Sequence, residues 1–349
     1  MKKVISLTLT AMLVLAIAAG CSGQSGSVAP SLAEAATASP SAAATPGSEA
    51  QSPETAWPTR GISLVVPFKA GGDTDYYARL YAKYLEQELG TTVTVVNTEG
   101  AGGTVGAQSV ASAAPDGYTI LFYHTGNLYA NKMLGVSDLD QNSFEIACIG
   151  EIDDTNTLVV PASLGVKTLD EFVANSKAEP DKYSCAVTIS GFSYYTLCLL
   201  QDAAGIKVNP VDAGGAAAMI PALLGDQVNS GINSYGVFKQ YVNDGSLIPL
   251  MTYGERRSEF FPDVPTAREL GYDCAAARAY FFGLPKGTDP AICQKLSDVV
   301  AKIQDNQEYR DAVSGTYCVT PQFVPYDQAL GTMNDVWAEM EPYTETMNQ

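Results

Sequence analysis

The sequence ISLVVPFKAGGDTD, at residues 62–75, predicts a β-strand, a glycine loop and the start of a helix, in that order. Ile62 to Val66 is rich in β-branched and large apolar residues, which favour strands. The glycines at 71 and 72 then permit a tight turn. In the helix that follows, apolar residues recur every three or four positions as far as Leu85, and Gly90 is a typical C-terminal stop.

The same order of strand, glycine loop and helix repeats along the chain. Further strands are predicted at 92–96, 119–123, 146–149, 158–160, 184–189, 208–211, 228–232, 248–253 and 280–284, and further helices at about 104–114, 167–178, 193–205, 216–224, 290–303 and 327–340. This alternation predicts an α/β fold with mostly parallel sheets and right-handed crossovers. The ordered part exceeds the ~150 residues of a typical domain, which favours two lobes.

The N-terminal region has the features of an exported protein. Lys2 and Lys3 precede a short apolar run that ends in small residues before Cys21. This predicts a secretory signal peptide at 1–21, and the terminal cysteine resembles a bacterial lipobox, so lipidation is predicted at Cys21. A transmembrane anchor is the alternative, but the run is short for the ~20 apolar residues that a bilayer requires. Residues 22–56, rich in Ser, Ala, Thr and Pro, predict a disordered tether. We therefore expect an extracytoplasmic protein, lipid-anchored to the outer face of the bacterial cytoplasmic membrane.

Charge and cysteine content narrow the possible functions. The formal net charge is −18, with no basic stretch of the kind that nucleic-acid binding requires, so no nucleic-acid partner is expected. Apart from Cys21, six cysteines are present, without zinc-type spacing. Several lie in apolar surroundings, so buried core thiols are expected, and a disulfide framework is the alternative.

Four glycine loops lie between a predicted strand and a predicted helix. In α/β sheets ligands bind at such positions, where free N–H groups and the positive ends of helix dipoles point outward. Each loop alone is also explained as a tight turn, but four in two halves of the chain favour a shared anion site. Asp75 is predicted to be a helix N-cap rather than a ligand residue. The candidate ligand-binding residues are Phe68, Lys69, Gly71, Gly72, Asp73, Thr74, Gly102, Gly103, Thr104, His124, Thr125, Gly126, Ser190, Gly191, Ser193, Gly214, Gly215, Asn233 and Ser234.

Catalytic and cofactor motifs are weak by comparison. Residues 100–106 loosely match a dinucleotide-binding loop, but no acidic residue follows at the end of the next strand. The chain has neither a phosphate-binding P-loop nor a nucleophile elbow, and it contains a single histidine, His124. We therefore expect no cofactor, no metal site and no catalytic residue. A hydrolase or lyase that acts on a carboxylate remains the alternative.

At these loops the chain resembles the solute-binding proteins of tripartite tricarboxylate transporters, also called the Bug family. The resemblance covers roughly residues 57–340. The motifs that carry it are VVPFKAGG at 65–72, NTEGAGG at 97–103, APDGYT at 114–119, LLGDQV at 223–228 and PDVPT at 262–266.

The resemblance implies a two-lobed, periplasmic-binding-protein-like fold of type II, hinged by crossing strands. Lobe 1 would comprise 57–151 and 272–349, and lobe 2 would comprise 152–271. It also implies a monomeric receptor that captures a small carboxylate and delivers it to integral-membrane transporter subunits. A ligand sensor for a histidine kinase would share this fold.

The first loop departs from the family pattern Pro-Phe-x-Pro-Gly-Gly-x-x-Asp. Ala70 replaces the second proline, and Lys69 adds a cation. Lys69 or Arg278 could pair with a ligand carboxylate if either side chain turned inward, and an exposed position is the alternative for Lys69.

Overall fold

Two five-stranded sheets organise the part of the chain that the computed structural model describes, residues 56–180 and 182–349. The strands are β1 Ile62–Val66, β2 Val93–Asn97, β3 Thr119–His124, β4 Phe144–Asp153, β5 Asn156–Pro161, β6 Ser184–Val187, β7 Asn209–Asp212, β8 Ser230–Ser234, β9 Leu247–Thr252 and β10 Arg278–Pro285. The helices are α1 Asp73–Leu89, α2 Thr104–Ala111, α3 Thr125–Met133, α4 Leu169–Ala178, α5 Phe192–Ala204, α6 Ala216–Leu224, α7 Tyr235–Asn243, α8 Pro290–Gln304, α9 Gln307–Tyr317, α10 Tyr326–Met340 and α11 Thr344–Met347.

Both sheets are mixed, and in each of them four strands run in the same direction and one runs opposite to them, which agrees with the expectation of mostly parallel sheets. Sheet one has the order β2-β1-β3-β10-β4, and sheet two has the order β7-β6-β8-β5-β9. In sheet one, β1 pairs in parallel with β2 and β3, whereas β10 is antiparallel to β3 and β4. Sheet two repeats this arrangement, with β5 antiparallel to β8 and β9.

The antiparallel strands are those that enter a sheet from the other one. β4 ends at Asp153 and β5 begins at Asn156, so the chain leaves the carboxyl edge of sheet one and enters sheet two almost at once. A strand that enters at the carboxyl edge has to run opposite to strands that end there. The same holds for β10, and the carboxyl edges of the two sheets therefore face each other. β4 also continues past residue 152, where the second lobe was expected to begin.

The side chains of β1 alternate between the two faces of sheet one, and helices pack against both faces. Ile62, Leu64 and Val66 pack with α1 and α8, whereas Val65 belongs to the cluster that includes α2 and α3. This is the two-residue period of a strand that is buried on both sides. Fully burying each such side chain contributes roughly 1.5–3 kcal/mol.

Helix boundaries follow the capping signals in the sequence. α1 ends at Gly90, which adopts the left-handed conformation at φ 65°. α8 begins with Asp289, whose carboxylate accepts the N–H of Ala291, and with Pro290 in the first turn. Both boundaries confirm the predictions. α3, α7, α9 and the short α11 were not predicted.

The six cysteines outside the signal region are all buried and free, which confirms core thiols. The predicted signal peptide, Cys21 and the tether up to residue 55 lie outside the described residues. Among the helices that the structure describes, none is both long and apolar enough to cross a membrane.

Candidate functional site

The first glycine loop, between β1 and α1, is held by a carboxylate inside the helix. Asp75 accepts the N–H of Gly71 at 2.9 Å, and it also accepts hydrogen bonds from Arg79 and Asn97 at 2.9 Å. The N-cap of α1 is Gly72, so the prediction that Asp75 caps this helix was wrong. The carboxylate instead reaches back from the third helical position. A Cβ at Gly72 would meet no atom within 4 Å, so the backbone here borders open space.

The second loop, between β2 and α2, is rigid and approaches sheet two. The carbonyl of Gly102 accepts hydrogen bonds from Tyr123 Oη at 2.9 Å, Asn127 Nδ2 at 3.2 Å and Asn131 Nδ2 at 2.9 Å. A Cβ at Gly102 would lie 2.5 Å from Ser190 Oγ. Only glycine permits this approach, and its φ of 62° independently favours glycine.

The third loop, between β6 and α5, closes the contact from the side of sheet two. Ser193 Oγ accepts the N–H of Thr188 at 2.9 Å, which shapes the turn before α5. A Cβ on Gly126 would lie 2.6 Å from Phe192 Cβ. The carboxyl edges of the two sheets are therefore in direct contact at these loops.

The fourth loop does not share these contacts. Gly215 is the N-cap of α6, and a Cβ on Gly214 or Gly215 would meet no atom within 4 Å. The structure thus joins loops two and three directly. It links loop one to them through Phe68 and His124, whose rings stack at 5.5 Å.

Helices that begin at the facing edges lack side-chain caps, with one exception. α1, α2, α5, α6 and α7 have no side-chain hydrogen bond at their N-caps. Of the helices that begin away from the facing edges, α4, α8 and α9 are capped by Thr168, Asp289 and Asn306, whereas α10 and α11 are not capped by a side chain. The first N–H groups of a helix without such a cap remain available to an acceptor, except where a neighbouring group already accepts them, as Asp73 Oδ1 does for Thr74 in α1 and the Gly100 carbonyl does for Val105 in α2. The facing edges therefore concentrate unused backbone donors and helix dipoles of the sign that binds anions.

The exception is α3, which His124 caps. Its Nδ1 accepts the N–H of Asn127 at 3.3 Å, so in the neutral ring the proton lies on Nε2. The side chain is 2 % exposed and contacts the rings of Phe68 and Tyr280. Burial, together with the nearby Arg278, lowers the pKa of His124 to about 3. The imidazole is therefore neutral at physiological pH and is a buried cap rather than a surface group.

Arg278 lies where both sheets meet. Its Nη2 donates to Asp73 Oδ2 at 2.6 Å, to Asp153 Oδ2 at 2.9 Å and to Ser234 Oγ. Burial alone would raise the pKa of Asp73, but Arg278 and the hydrogen bonds from Thr74 and Tyr280 together more than offset this, and the pKa falls to about 2. Asp73 starts α1, Asp153 ends β4 and Ser234 ends β8, so this one guanidinium connects three elements at the floor of the cleft.

The remaining polar candidates have different environments. Thr125 Oγ1 accepts the N–H of Ala279 at 3.0 Å, and Asn233 Oδ1 accepts the N–H of Ser234 at 2.9 Å. Thr104 Oγ1 is buried and has no hydrogen-bond partner among the residues that the structure describes.

Lys69 points away from the other candidates. Its side chain is 82 % exposed, and its ammonium lies 3.5 Å from Glu99. The exposed alternative is thus the one observed. An open depression of about 370 Å³ lies nearby, bordered by loop one, α1 and Tyr317 at the end of α9, and none of its lining residues belongs to sheet two.

Sequence reasoning missed several residues of the cleft. Asp153 and Tyr280 both contact the Arg278 network, and Asn127 and Asn131 hold the second loop. The two asparagines lie on α3, which was not predicted. No local motif marks Asp153, whose role depends on how far β4 extends.

Comparison with known proteins gives the family. The family described as "Tripartite tricarboxylate transporter family receptor" matches this chain over residues 77–322, which is more than half of the chain. The chain is 35% identical over 286 residues to the UPF0065 protein in the gbd 5′ region of Cupriavidus necator, covering 80% of this chain and 84% of the relative. It is 30% identical over 285 residues to protein BugT of Bordetella pertussis, covering 80% and 86%.

Solved structures agree in fold. MatC from Rhodopseudomonas palustris, solved with bound malate, is 26% identical to this chain with a TM-score of 0.72. The match covers 84% of this chain and 100% of MatC. Another R. palustris protein, solved with adipate, is 25% identical with a TM-score of 0.76, covering 83% and 98%.

Two α/β lobes with facing carboxyl edges, joined by strands that cross between them, define a periplasmic-type solute-binding protein. Such a protein is a receptor and not an enzyme. This chain belongs to the tripartite tricarboxylate transporter receptor family, which places it outside the cytoplasm.

Proposed function

We propose that this receptor captures a small carboxylate between its lobes and delivers it to the integral-membrane subunits of a tripartite tricarboxylate-type transporter. The observation that carries the proposal is the set of uncapped helices at the facing edges. Their N–H groups can hold a carboxylate without a side-chain cation, directly or through ordered water. The malate and adipate bound by two structural neighbours support the same ligand class.

The ligand would contact loops one, two and three. Gly72 and Asp73 supply the free N–H groups at the start of α1, and Gly102 and Gly103 lie at the start of α2. From sheet two, Ser190 completes the enclosure. Hydrogen bonds from these free donors to the carboxylate would provide the binding energy. Closure of the lobes over the ligand would provide the signal to the membrane partner.

The attachment to the membrane is part of the proposal. The residues before Cys21 support a lipoprotein signal peptide at 1–21, with lipidation of Cys21 and a tether at 22–56. The receptor would act as a monomer. Lobe 1 would span 57–151 and 272–349, with lobe 2 at 152–271.

The test is a thermal-shift screen of mono-, di- and tricarboxylates on the segment Pro53–Gln349, which forms one compact unit. Endogenous ligand is removed first by partial unfolding and refolding. An acid at one hundred times its Kd stabilises the protein by about 2.7 kcal/mol, which raises Tm by roughly 4 °C for a segment of this length. No shift with any carboxylate would refute the proposal.

Gly72→Leu is the informative variant. Gly72 has an extended backbone at φ −86° with open space beside it, so leucine adds bulk to the site without backbone strain. We expect this variant to fold and to lose the ligand-dependent shift. Gly331→Leu is the matched control, because Gly331 is exposed on α10 and a Cβ there would meet no atom within 4 Å. It should retain the full shift.

A further inference from the structure

We infer that Asp73 determines the ligand class of this site, because its carboxylate already pairs with Arg278. Arg278 is the cation with which a second carboxylate of the ligand would otherwise pair. The inference rests on the proposed function. The receptor should therefore bind ligands that have one carboxylate and a neutral or cationic remainder, and it should discriminate against dicarboxylates and tricarboxylates.

The first support is the position of Arg278. It is the first residue of β10, and its guanidinium reaches Ser234 at the carboxyl end of β8. Arg278 thus lies on the floor of the cleft, between the two edges. A guanidinium there matches the planar geometry of a carboxylate.

The second support is that protein carboxylates already satisfy this guanidinium. Arg278 Nη2 lies 2.6 Å from Asp73 Oδ2 and 2.9 Å from Asp153 Oδ2, and Arg278 Nε lies 3.3 Å from Asp153 Oδ2. Its side chain is 8 % exposed. A ligand carboxylate could reach it only by displacing Asp73, the more exposed of the two acidic partners.

The third support is that Asp73 is held where it is. Its Oδ2 accepts the hydroxyl of Tyr280 at 2.9 Å, and its Oδ1 accepts the N–H of Thr74 at 2.7 Å and the Thr74 hydroxyl at 3.2 Å. Displacing the carboxylate would break these bonds as well as the ion pair.

The fourth support is the charge balance at the floor. One cation, Arg278, faces the two carboxylates of Asp73 and Asp153, and His124 is neutral. Lys69 is exposed and faces Glu99 instead. The floor therefore carries a net negative charge, which repels a second ligand carboxylate and tolerates a neutral or cationic group.

The test compares acids of equal chain length by isothermal titration calorimetry: butyrate with succinate, and hexanoate with adipate. The wild-type segment Pro53–Gln349 should bind the monocarboxylate at least tenfold more tightly within whichever pair it recognises. Asp73→Asn, which has the same shape without the charge, frees Arg278 and should gain at least tenfold in affinity for the dicarboxylate. Asp116→Asn, at an exposed ion pair with Arg60, should leave the ratio unchanged.

A gain of dicarboxylate binding separates this role from a structural one, since structural damage would weaken both acids. The inference is overturned if wild type prefers the dicarboxylate, a result that needs no variant, or if Asp73→Asn leaves the ratio unchanged. In both cases carboxylate binding itself would stand. If no carboxylate binds the wild-type protein, the proposed function fails first, and this inference fails with it.

Discussion

Replacing His124 by asparagine should remove an acid-dependent loss of stability. Asparagine is a good N-cap and can still accept the Asn127 N–H, so α3 keeps its cap. In the folded protein the pKa of His124 lies at about 3, against 6.5 in the unfolded chain. As pH falls below about 6.5, the unfolded chain therefore takes up a proton that the folded protein excludes, and the free energy of unfolding decreases.

The two pKa values set the size of the effect. Between pH 7.5 and pH 5, this one imidazole should lower the free energy of unfolding of wild type by about 2 kcal/mol. His124→Asn loses the ring contacts with Phe68 and Tyr280 at every pH, but it should lack this pH-dependent component. Urea unfolding at the two pH values measures the difference between wild type and variant.

Glu151 provides a control of opposite sign. Burial raises its pKa to about 7, above its usual value, although Tyr309 and Gln304 donate hydrogen bonds to it. Its contribution is fully present at low pH and is lost as pH rises through about 7. Glu151→Gln should therefore change the pH dependence of the free energy of unfolding in the direction opposite to His124→Asn. Relative to wild type, it should lower the free energy of unfolding at pH 5 by about 2 kcal/mol more than at pH 7.5.

NMR gives an independent measurement, because the untagged chain contains a single histidine. The Cε1–H resonance of His124 should keep its chemical shift between pH 8 and pH 5. A titration midpoint near 6.5 in the folded protein, or equal pH dependence of unfolding in wild type and His124→Asn, would refute the buried neutral cap.

The remaining predictions concern stability and thiol reactivity. Gly103→Ala should destabilise the fold by about 1–3 kcal/mol in urea, because φ is 101° and the new Cβ would lie 2.7 Å from Tyr123 Oη, whereas Gly315→Ala on α9 should be neutral or stabilising. Arg278→Met should cost about 3–5 kcal/mol, because it leaves the buried carboxylate of Asp153 and the partly buried one of Asp73 without a cation. Arg60→Met at an exposed pair should cost less than about 1 kcal/mol. In Pro53–Gln349, no thiol should react with a thiol reagent before unfolding and all six should react afterwards; fewer than six would indicate a disulfide.

Local patterns were sufficient for much of the fold. The strand at 62–66, its glycine loop and the stripe of α1 are all local, and so is the Asp289–Pro290 start of α8. The direction of β5 and β10 was not predictable, because it depends on which sheet edge the chain enters. α9 was missed because Tyr309 and Val313 are its buried residues and the rest is largely polar. α3 is buried almost all round, so it shows no clear polar face.

The site was predicted only in part for a similar reason. Glycine between strand and helix is a local signal, and it located the loops that meet. The Arg278 network is long-range, since its partners Asp73, Asp153 and Ser234 come from distant parts of the chain. Whether Arg278 binds ligand or carboxylates of the protein depends on this tertiary arrangement.

The most direct test of the receptor account is a crystal structure of Pro53–Gln349 with the acid that gives the largest thermal shift. The account predicts that carboxylate oxygens lie within about 3.2 Å of backbone nitrogens at the starts of α1 and α2, or are joined to them by one ordered water. The lobes should be closed over the ligand. An acid bound outside the facing edges, or one whose carboxylate is held by Lys69 with the helix starts unoccupied, would contradict it.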